Sequence, residues 1–314
     1  MIAASTLPIA RLHLTVRANA PLHLPRYAGS MLRGAFGHAL RELALLPHES
    51  GQPCALHERC PYCQIFAPPP LASGHSLQKF SQMPPPYVIE PPGADQPRKL
   101  NQDDNFRFSL VLIGRAWQHL PAVMQAFERA MQRGLGQHKA PCTLISAQQE
   151  ASSTPFWQSG QTCPSLQAAA LPPAPSLGEQ VTLHFRTPLR QQYRNKPARV
   201  HELDARTLLT GLARRHQLLH DVYCGTQTPL WDFPTLTQQA ETISLDADQL
   251  HWVDWERYSN RQRQAMTLGG LIGPVQLRGN LAPFRDLLHL GQWLHVGKET
   301  VFGLGGYRLE TCAA

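Results

Sequence analysis

At 314 residues, with 42% hydrophobic and 16% charged side chains, the chain is long and apolar enough for two packed domains and lacks the composition of a disordered or collagen-like polymer. No apolar run approaches the roughly 20 residues that cross a bilayer, so no membrane span or membrane partner is expected. Twenty-nine Lys and Arg against 22 Asp and Glu give a formal charge of +7; Arg is preferred, and its planar fork, which matches phosphates and stacks on bases, favours nucleic acid as the bound polyanion.

The first eight residues carry neither the basic region nor the apolar stretch of a secretory signal, which predicts a cytoplasmic protein. Ile9–Val16 alternates apolar and polar residues in the period of two of a half-buried strand. A helix is predicted over Ser30–Leu43, where Leu32, Phe36, Leu40 and Leu43 recur at three- and four-residue spacing, with Ser30 as N-cap and Pro47 as stop. Its opposite face holds Arg33, Gly34, Gly37, His38 and Arg41.

Residues 47–97 hold three proline clusters and read as a long insertion. Within it Cys54, His57, Cys60 and Cys63 fall at every third residue, and Cys60-x-x-Cys63 is a knuckle spacing that lets two thiolates share one metal. An odd total of seven cysteines, three of them within ten residues, points to metal rather than disulfides. A structural zinc held by Cys54, Cys60, Cys63 and either His57 or His48 is the expectation, with an iron–sulfur cluster or plain thiols as alternatives.

Order returns with a strand at Phe106–Ile113, a helix at Leu120–Arg133 and a strand at Cys142–Ala147. Residues 151–178, rich in Ser, Pro, Gln and Ala, are the predicted linker between an N-terminal domain of residues 1–150 and a C-terminal domain of residues 179–314. The second half repeats the plan: a strand at Val181–Phe185, a helix at Asp204–Val222, strands near Leu250–Trp255 and Gly273–Leu277, a helix at Pro283–Leu294 and a strand at Tyr307–Glu310. Two halves that each read close to βαββαβ predict an α+β protein of tandem ferredoxin-like domains, each with one open sheet face.

Specific strings run through this plan. Tyr27-Ala28-Gly29-Ser30-Met31-Leu32-Arg33-Gly34-Ala35-Phe36-Gly37-His38-Ala39-Leu40-Arg41 opens it, followed by the cysteine segment ending Cys60-Pro61-Tyr62-Cys63. Then come Trp255 to Ser259, Leu268-Gly269-Gly270, Gly279 to Phe284, and a glycine-rich end from His295 through Lys298 to Gly303-Leu304-Gly305-Gly306-Tyr307. Together they resemble the CRISPR-associated precursor-crRNA processing endoribonucleases of the RAMP superfamily, the Cas-six family. The resemblance implies two RAMP domains, recognition of the repeat hairpin of precursor CRISPR RNA, and metal-independent cleavage at its base that leaves a 2′,3′-cyclic phosphate and a 5′-hydroxyl. It also implies other CRISPR effector-complex subunits as partners, and a catalytic histidine in the first domain.

A cut through the RNA's own 2′-hydroxyl requires a base, an acid and positive charge beside the phosphate. His38 is the candidate base, with Tyr27 to orient or donate a proton and Lys298 or Arg33 to neutralise the phosphate. Arg33, Arg41, Arg190, Arg194, Lys196, Arg199, Arg257, Arg261 and Arg263 are predicted to line the RNA path. Gly303, Gly305 and Gly306 are expected to let a phosphate backbone approach closely, a tight turn being the plainer reading. A nucleotide P-loop is excluded, because Gly291 to Gly297 encloses five residues rather than four and Glu299 follows the lysine. Two rivals share these features in part: a non-catalytic RAMP subunit that holds crRNA, and a zinc-stabilised DNA-binding regulator, which the absence of helix-turn-helix or repeated finger spacing disfavours.

Overall fold

The computed structural model describes residues 7–44, 54–70, 83–93, 96, 98–224, 229–259 and 264–311. They form two compact units: residues 7–171, with which the end of the helix Ala205–Cys224 is grouped, and the remainder from residue 172.

The N-terminal unit runs β1 (Ile9–Ala18), β2 (Leu22–His23), α1 (Gly29–Glu42), a π-helical turn at Tyr62–Phe66, β3 (Tyr87–Glu90), β4 (Lys99–Leu100), β5 (Asn105–Ile113), α2 (Leu120–Arg133), β6 (Cys142–Gln149) and β7 (Trp157–Gln158). Its antiparallel sheet has the order β3-β5-β1-β6-β7, and β2 pairs with β4 apart from it. On β1 the alternation is real: Leu12, Leu14 and Val16 are fully buried while Arg11, His13 and Thr15 are half-buried on the other face. Phe108, opposite Leu14, meets Phe127 of α2 at 5.3 Å between ring centroids, so the helices cover the Leu12–Leu14–Val16 face. On the opposite face Arg11 grips Glu90 bidentately at 2.7 and 2.9 Å and reaches Glu150 at 2.5 Å.

Two local expectations change. The helix begins at Gly29, not after a Ser30 cap: Ala28 occupies the cap position without a side-chain bond, and its carbonyl accepts the Leu32 N–H at 2.9 Å. The second strand of the split βαββαβ plan, β3, comes from inside the proline-rich stretch, between Pro84-Pro85-Pro86 and Pro91-Pro92. Tyr87, Val88 and Ile89 are fully buried at the sheet edge, where a proline-bounded strand costs no ladder bonds.

The C-terminal unit runs β8 (Gln180–Leu189), a hairpin of β9 (Gln192–Tyr193) and β10 (Lys196–Pro197), α3 (Ala205–Cys224), α4 (Phe233–Glu241), β11 (Ser244–Asp246), β12 (His251–Ser259), β13 (Gln264–Arg278), α5 (Arg285–Leu294) and β14 (Tyr307–Thr311). The sheet order is β11-β13-β8-β14, with β12 also on β13. The single 15-residue strand β13 replaces the short strand expected at Gly273–Leu277. It pairs with β12 along its first half and with β11 at Gln276–Arg278, and the register to β8 shifts between Leu271 and Gly273, where Gly273 has φ +125°. Val181, Leu183 and Phe185 of β8 pack with Leu208, Leu209 and Leu212 of α3 and with Leu287 and Leu288 of α5. Each unit is thus a ferredoxin-like layer of helices on one antiparallel sheet. Among the described residues, no helix is long and apolar enough to cross a membrane.

The core of this unit contains a titratable group. His216 of α3 is buried, with its ring 5.7 Å from that of Trp231, and burial, followed by the charge of His220, pushes its pKa down to about 4. Its folded pKa is therefore below the roughly 6.5 of the unfolded chain, so the unfolded state binds the extra proton between these values. Stability contributed by neutral His216 is fully present above about pH 6.5 and declines as pH falls towards 4, by at most about 1.4 kcal/mol per pH unit. Denaturant titrations between pH 7.5 and 4 should show this decline, and His216→Gln should flatten it.

Candidate functional site

The face of α1 away from the sheet carries His38 and, one turn on, Arg41, both exposed. The two glycines on this helix do different things. A Cβ at Gly34 would meet nothing within 4 Å, whereas one at Gly37 would overlap the ring of Phe66. The bare backbone on this face is covered, at Gly37, by the chain's own cysteine segment.

Arg33 is tied into the same contact. Its guanidinium lies 4.3 Å from the Phe66 ring centroid, and its Nε donates to the Tyr87 hydroxyl at 3.1 Å. Burial pushes the Tyr87 phenol up to about 12, against the opposing charge of Arg33, so it is a neutral acceptor at physiological pH. Arg33 therefore braces the helix against β3 rather than standing open to a phosphate. Tyr27 precedes the first turn of α1, and nine residues at 1.5 Å separate Gly29 from His38 by about 13 Å. Arg26 lies over the Tyr27 ring at 5.5 Å, and burial raises the Tyr27 pKa. The structure does not bring Tyr27 and His38 together at one end of the helix.

In the cysteine segment, the Sγ atoms of Cys54, Cys60 and Cys63 all lie within 4.8 Å of one another. Cys60 and Cys63 are buried and Cys54 is half-buried. Burial pushes the Cys63 thiol up, reinforced by the neighbouring charge of Cys60 and by hydrogen bonds to Cys54 and Cys60. His57 is not part of this cluster: it is exposed, its amide donates to the Cys54 carbonyl at 3.1 Å, and its carbonyl accepts from Gln64 Nε2 at 2.8 Å. Spacing by threes places the side chain three residues after Cys54 outward from the turn. The other candidate ligand, His48, lies outside the described residues.

In the C-terminal unit the glycine-rich end is knotted to its own surroundings. The amides of Gly303, Gly305 and Gly306 donate to the Thr300 carbonyl at 2.8 Å, the Pro188 carbonyl at 2.9 Å and Thr187 Oγ1 at 2.8 Å. The expected anion-binding concavity is not built from these three N–H groups. Gly305, at φ +69°, presses on the Val296 carbonyl, and Gly306 lies on the buried ring of His295, which donates from Nδ1 to the Leu304 carbonyl at 3.0 Å. The close approach that demands glycine is to the chain itself.

Lys298 is exposed, and its amide donates to the Arg190 carbonyl at 2.9 Å. Gly297 makes that contact possible: at φ +88° a Cβ there would stand 2.7 Å from the same carbonyl. Arg190 Nη1 donates to the Gly269 carbonyl at 3.2 Å, so Lys298 and Arg190 form one basic edge. A second lies on the hairpin. Arg194 and Asn195 hold its turn at φ 47° and 65°, Arg194 lies over Tyr193 at 5.2 Å, and Arg199 lies over Trp252 at 4.4 Å. Lys196, Arg199 and these two aromatics line an open recess. Tyr193 and Trp252 were missed in the sequence, although Arg, Tyr, Arg and Lys alternate through residues 190–196. Arg257 lies on β12 with its side chain undescribed, and Arg261 and Arg263 lie outside the described residues.

Residues 183–307 match the family model of the CRISPR-associated endoribonuclease Cas6, and residues 7–170 match AF_1859_N, described as an N-terminal domain. The C-terminal unit therefore carries the sequence match to the Cas6 endoribonucleases. No curated protein matches the chain in sequence. A Cas6 solved as a product complex aligns with a TM-score of 0.59 at 15% identity, covering 96% of this chain and 99% of that one. A partial Cas6-RT-Cas1–Cas2 complex aligns at 0.58 and 15% identity, over 99% of this chain and 47% of that one. A Thermus thermophilus Cas6 aligns at 0.50 and 14% identity, over 97% and 99%. At these identities the likeness to solved Cas6 structures is one of fold.

The glycine pair on α1 gives opposite expectations. Gly34→Ala should stabilise the protein by up to about 1 kcal/mol through helix propensity. Gly37→Ala should destabilise it by about 1–3 kcal/mol, because Phe66 must move. Paired denaturant melts measure both.

Proposed function

We propose that this protein is a crRNA-processing endoribonuclease that binds the repeat hairpin of precursor CRISPR RNA and cuts at its base. The match of residues 183–307 to the Cas6 family model carries the reading. The exposed imidazole of His38 supports it, because it stands on the helix of the first ferredoxin-like unit with Arg41 one turn away.

In this reading the 2′-hydroxyl upstream of the scissile phosphate loses its proton to His38 and attacks phosphorus. The P–O5′ bond breaks as the leaving oxygen takes up a proton from water, giving a 2′,3′-cyclic phosphate and a 5′-hydroxyl, and the imidazolium of His38 returns its proton to solvent. Imidazole suits this work because its ordinary pKa of about 6.5 lies nearest neutrality, and Arg41 supplies charge for the phosphorane-like transition state. The reaction draws on no metal. Tyr27, before the first turn of the helix, takes no part in the proton transfers, and Arg33, committed to Phe66 and Tyr87, does not supply the charge at the phosphate.

RNA binding is assigned to the C-terminal unit's two basic edges. Lys298 and Arg190 form one; Arg194, Lys196 and Arg199 form the other, where Tyr193 and Trp252 offer faces for unpaired bases. Duplex RNA hides its base edges in a deep groove, so hairpin shape plus a few single-stranded bases would be read.

With zinc-loaded protein and no added magnesium or calcium, repeat RNA should be cut once at the hairpin base, and a 2′-deoxy substitution at that nucleotide should block the cut. His38→Ala should slow cleavage by about 10²–10⁴-fold while changing hairpin affinity only a few-fold. Normal cutting by this variant would remove the assignment, and binding without cutting by the parent protein would support a crRNA-holding subunit. Arg194→Ala with Lys196→Ala should flatten the log–log salt dependence of binding by about 1–2 units.

A further inference from the structure

The three thiols and the aromatic ring that follows them form one device. Cys60 and Cys63 flank the start of the π-helical turn, whose bonds run from the Gln64 amide to the Cys60 carbonyl at 2.9 Å and from the Ala67 amide to the Tyr62 carbonyl at 3.0 Å. That turn delivers Phe66 to Gly37. Its ring stacks on Tyr62 at 5.4 Å and Tyr87 at 6.3 Å and meets Phe36 edge-on at 6.2 Å. Apart from these rings, the segment's described fully buried side chains are Cys60 and Ile65, too little apolar area to hold a turn of this kind in place.

We propose that Cys54, Cys60 and Cys63 bind one zinc ion as thiolates, and that this ion fixes the turn that seats Phe66 on Gly37, so that metal occupancy sets the order of helix α1. Zinc–sulfur bonds of about 2.3 Å at tetrahedral angles place sulfurs about 3.8 Å apart. Sγ atoms already within 4.8 Å of one another reach that arrangement by small side-chain rotations. Binding replaces three S–H bonds by three S–Zn bonds and releases three protons to solvent. Among the described residues no fourth ligand atom joins the three sulfurs, and His48, the other ligand offered by the sequence, lies outside them. Soft thiolates exclude magnesium and calcium as occupants. The ion takes no part in the cut: it positions the helix that carries His38 and Arg33, and only this last consequence rests on the nuclease reading.

Elemental analysis of protein purified without a histidine tag should give one zinc per chain. The cobalt-substituted protein should show sulfur-to-cobalt charge-transfer absorption and the intense visible bands of a tetrahedral site. Chelation should raise hydrogen exchange of α1 amides at least tenfold, reversed by added zinc. Phe66→Ala should raise α1 exchange similarly while retaining the metal, and Cys54→Ser should lower zinc retention without unfolding the sheet. Zinc near zero with no cobalt–sulfur band overturns the site. Full occupancy with α1 exchange unmoved by chelation overturns the coupling. None of these readouts uses RNA, so a zinc-loaded protein that fails to cut would sink the nuclease reading alone.

Discussion

The contact on which the N-terminal unit turns is between a bare stretch of helix and an aromatic ring. At Gly37 no side chain intervenes, so Phe66 lies directly on the backbone of α1. From there a continuous run of rings passes through Tyr87 and Phe36 to Phe127, stacked at 4.5 Å, and on to Phe108 in the middle of the sheet. Edge-to-face and offset pairs of this kind have preferred geometries, so displacing one ring disturbs its neighbours. A proline-rich excursion with almost no core of its own is thereby keyed into the interior, and the helix that presents His38 is gripped on two sides.

The C-terminal unit solves a different problem, how to bring two loops and a strand end within backbone contact. Gly297 lets the chain pass against the Arg190 carbonyl, Gly305 against that of Val296, and Gly306 over the His295 ring. Once the glycines have allowed this approach, the amides there are satisfied within the chain, and what remains for a polyanion is side-chain charge at Lys298, Arg190 and the hairpin. The open face of the first sheet is no simple basic platform either, since Arg11 is neutralised there by Glu90 and Glu150.

Much of the architecture was legible because burial imposes periodicity. The Leu32–Phe36–Leu40 stripe, the alternation along Ile9–Val16 and the amphipathic run Leu120–Arg133 each became the element their spacing implies. β3 was not legible: four residues flanked by prolines are too few to display a period, and their strand character comes from pairing with β5. The hairpin was lost for the same reason. In the candidate site, spacing alone identified the thiols but misled at His57, which sits in a tight turn closed by its own amide on the Cys54 carbonyl and leaves its side chain exposed. The glycines near the C-terminus were read as open to a ligand, since sequence cannot say whether the surface a glycine approaches belongs to a partner or to the same chain. Tyr27 was grouped with His38 by nearness in sequence, which a helix converts into distance along its axis, and Arg33 is drawn aside by Phe66 and Tyr87, both remote from it in sequence.

The hairpin turn carries one more implication. Its two central residues, Arg194 and Asn195, are held in the left-handed region, which asparagine tolerates and arginine does not favour. A glycine at the arginine position would relieve that backbone cost. Keeping a long cation there instead places a guanidinium at the turn of the β9–β10 hairpin, over the ring of Tyr193. To the extent that this contact is made in the free protein, capture of a polyanion has that much less side-chain entropy to remove.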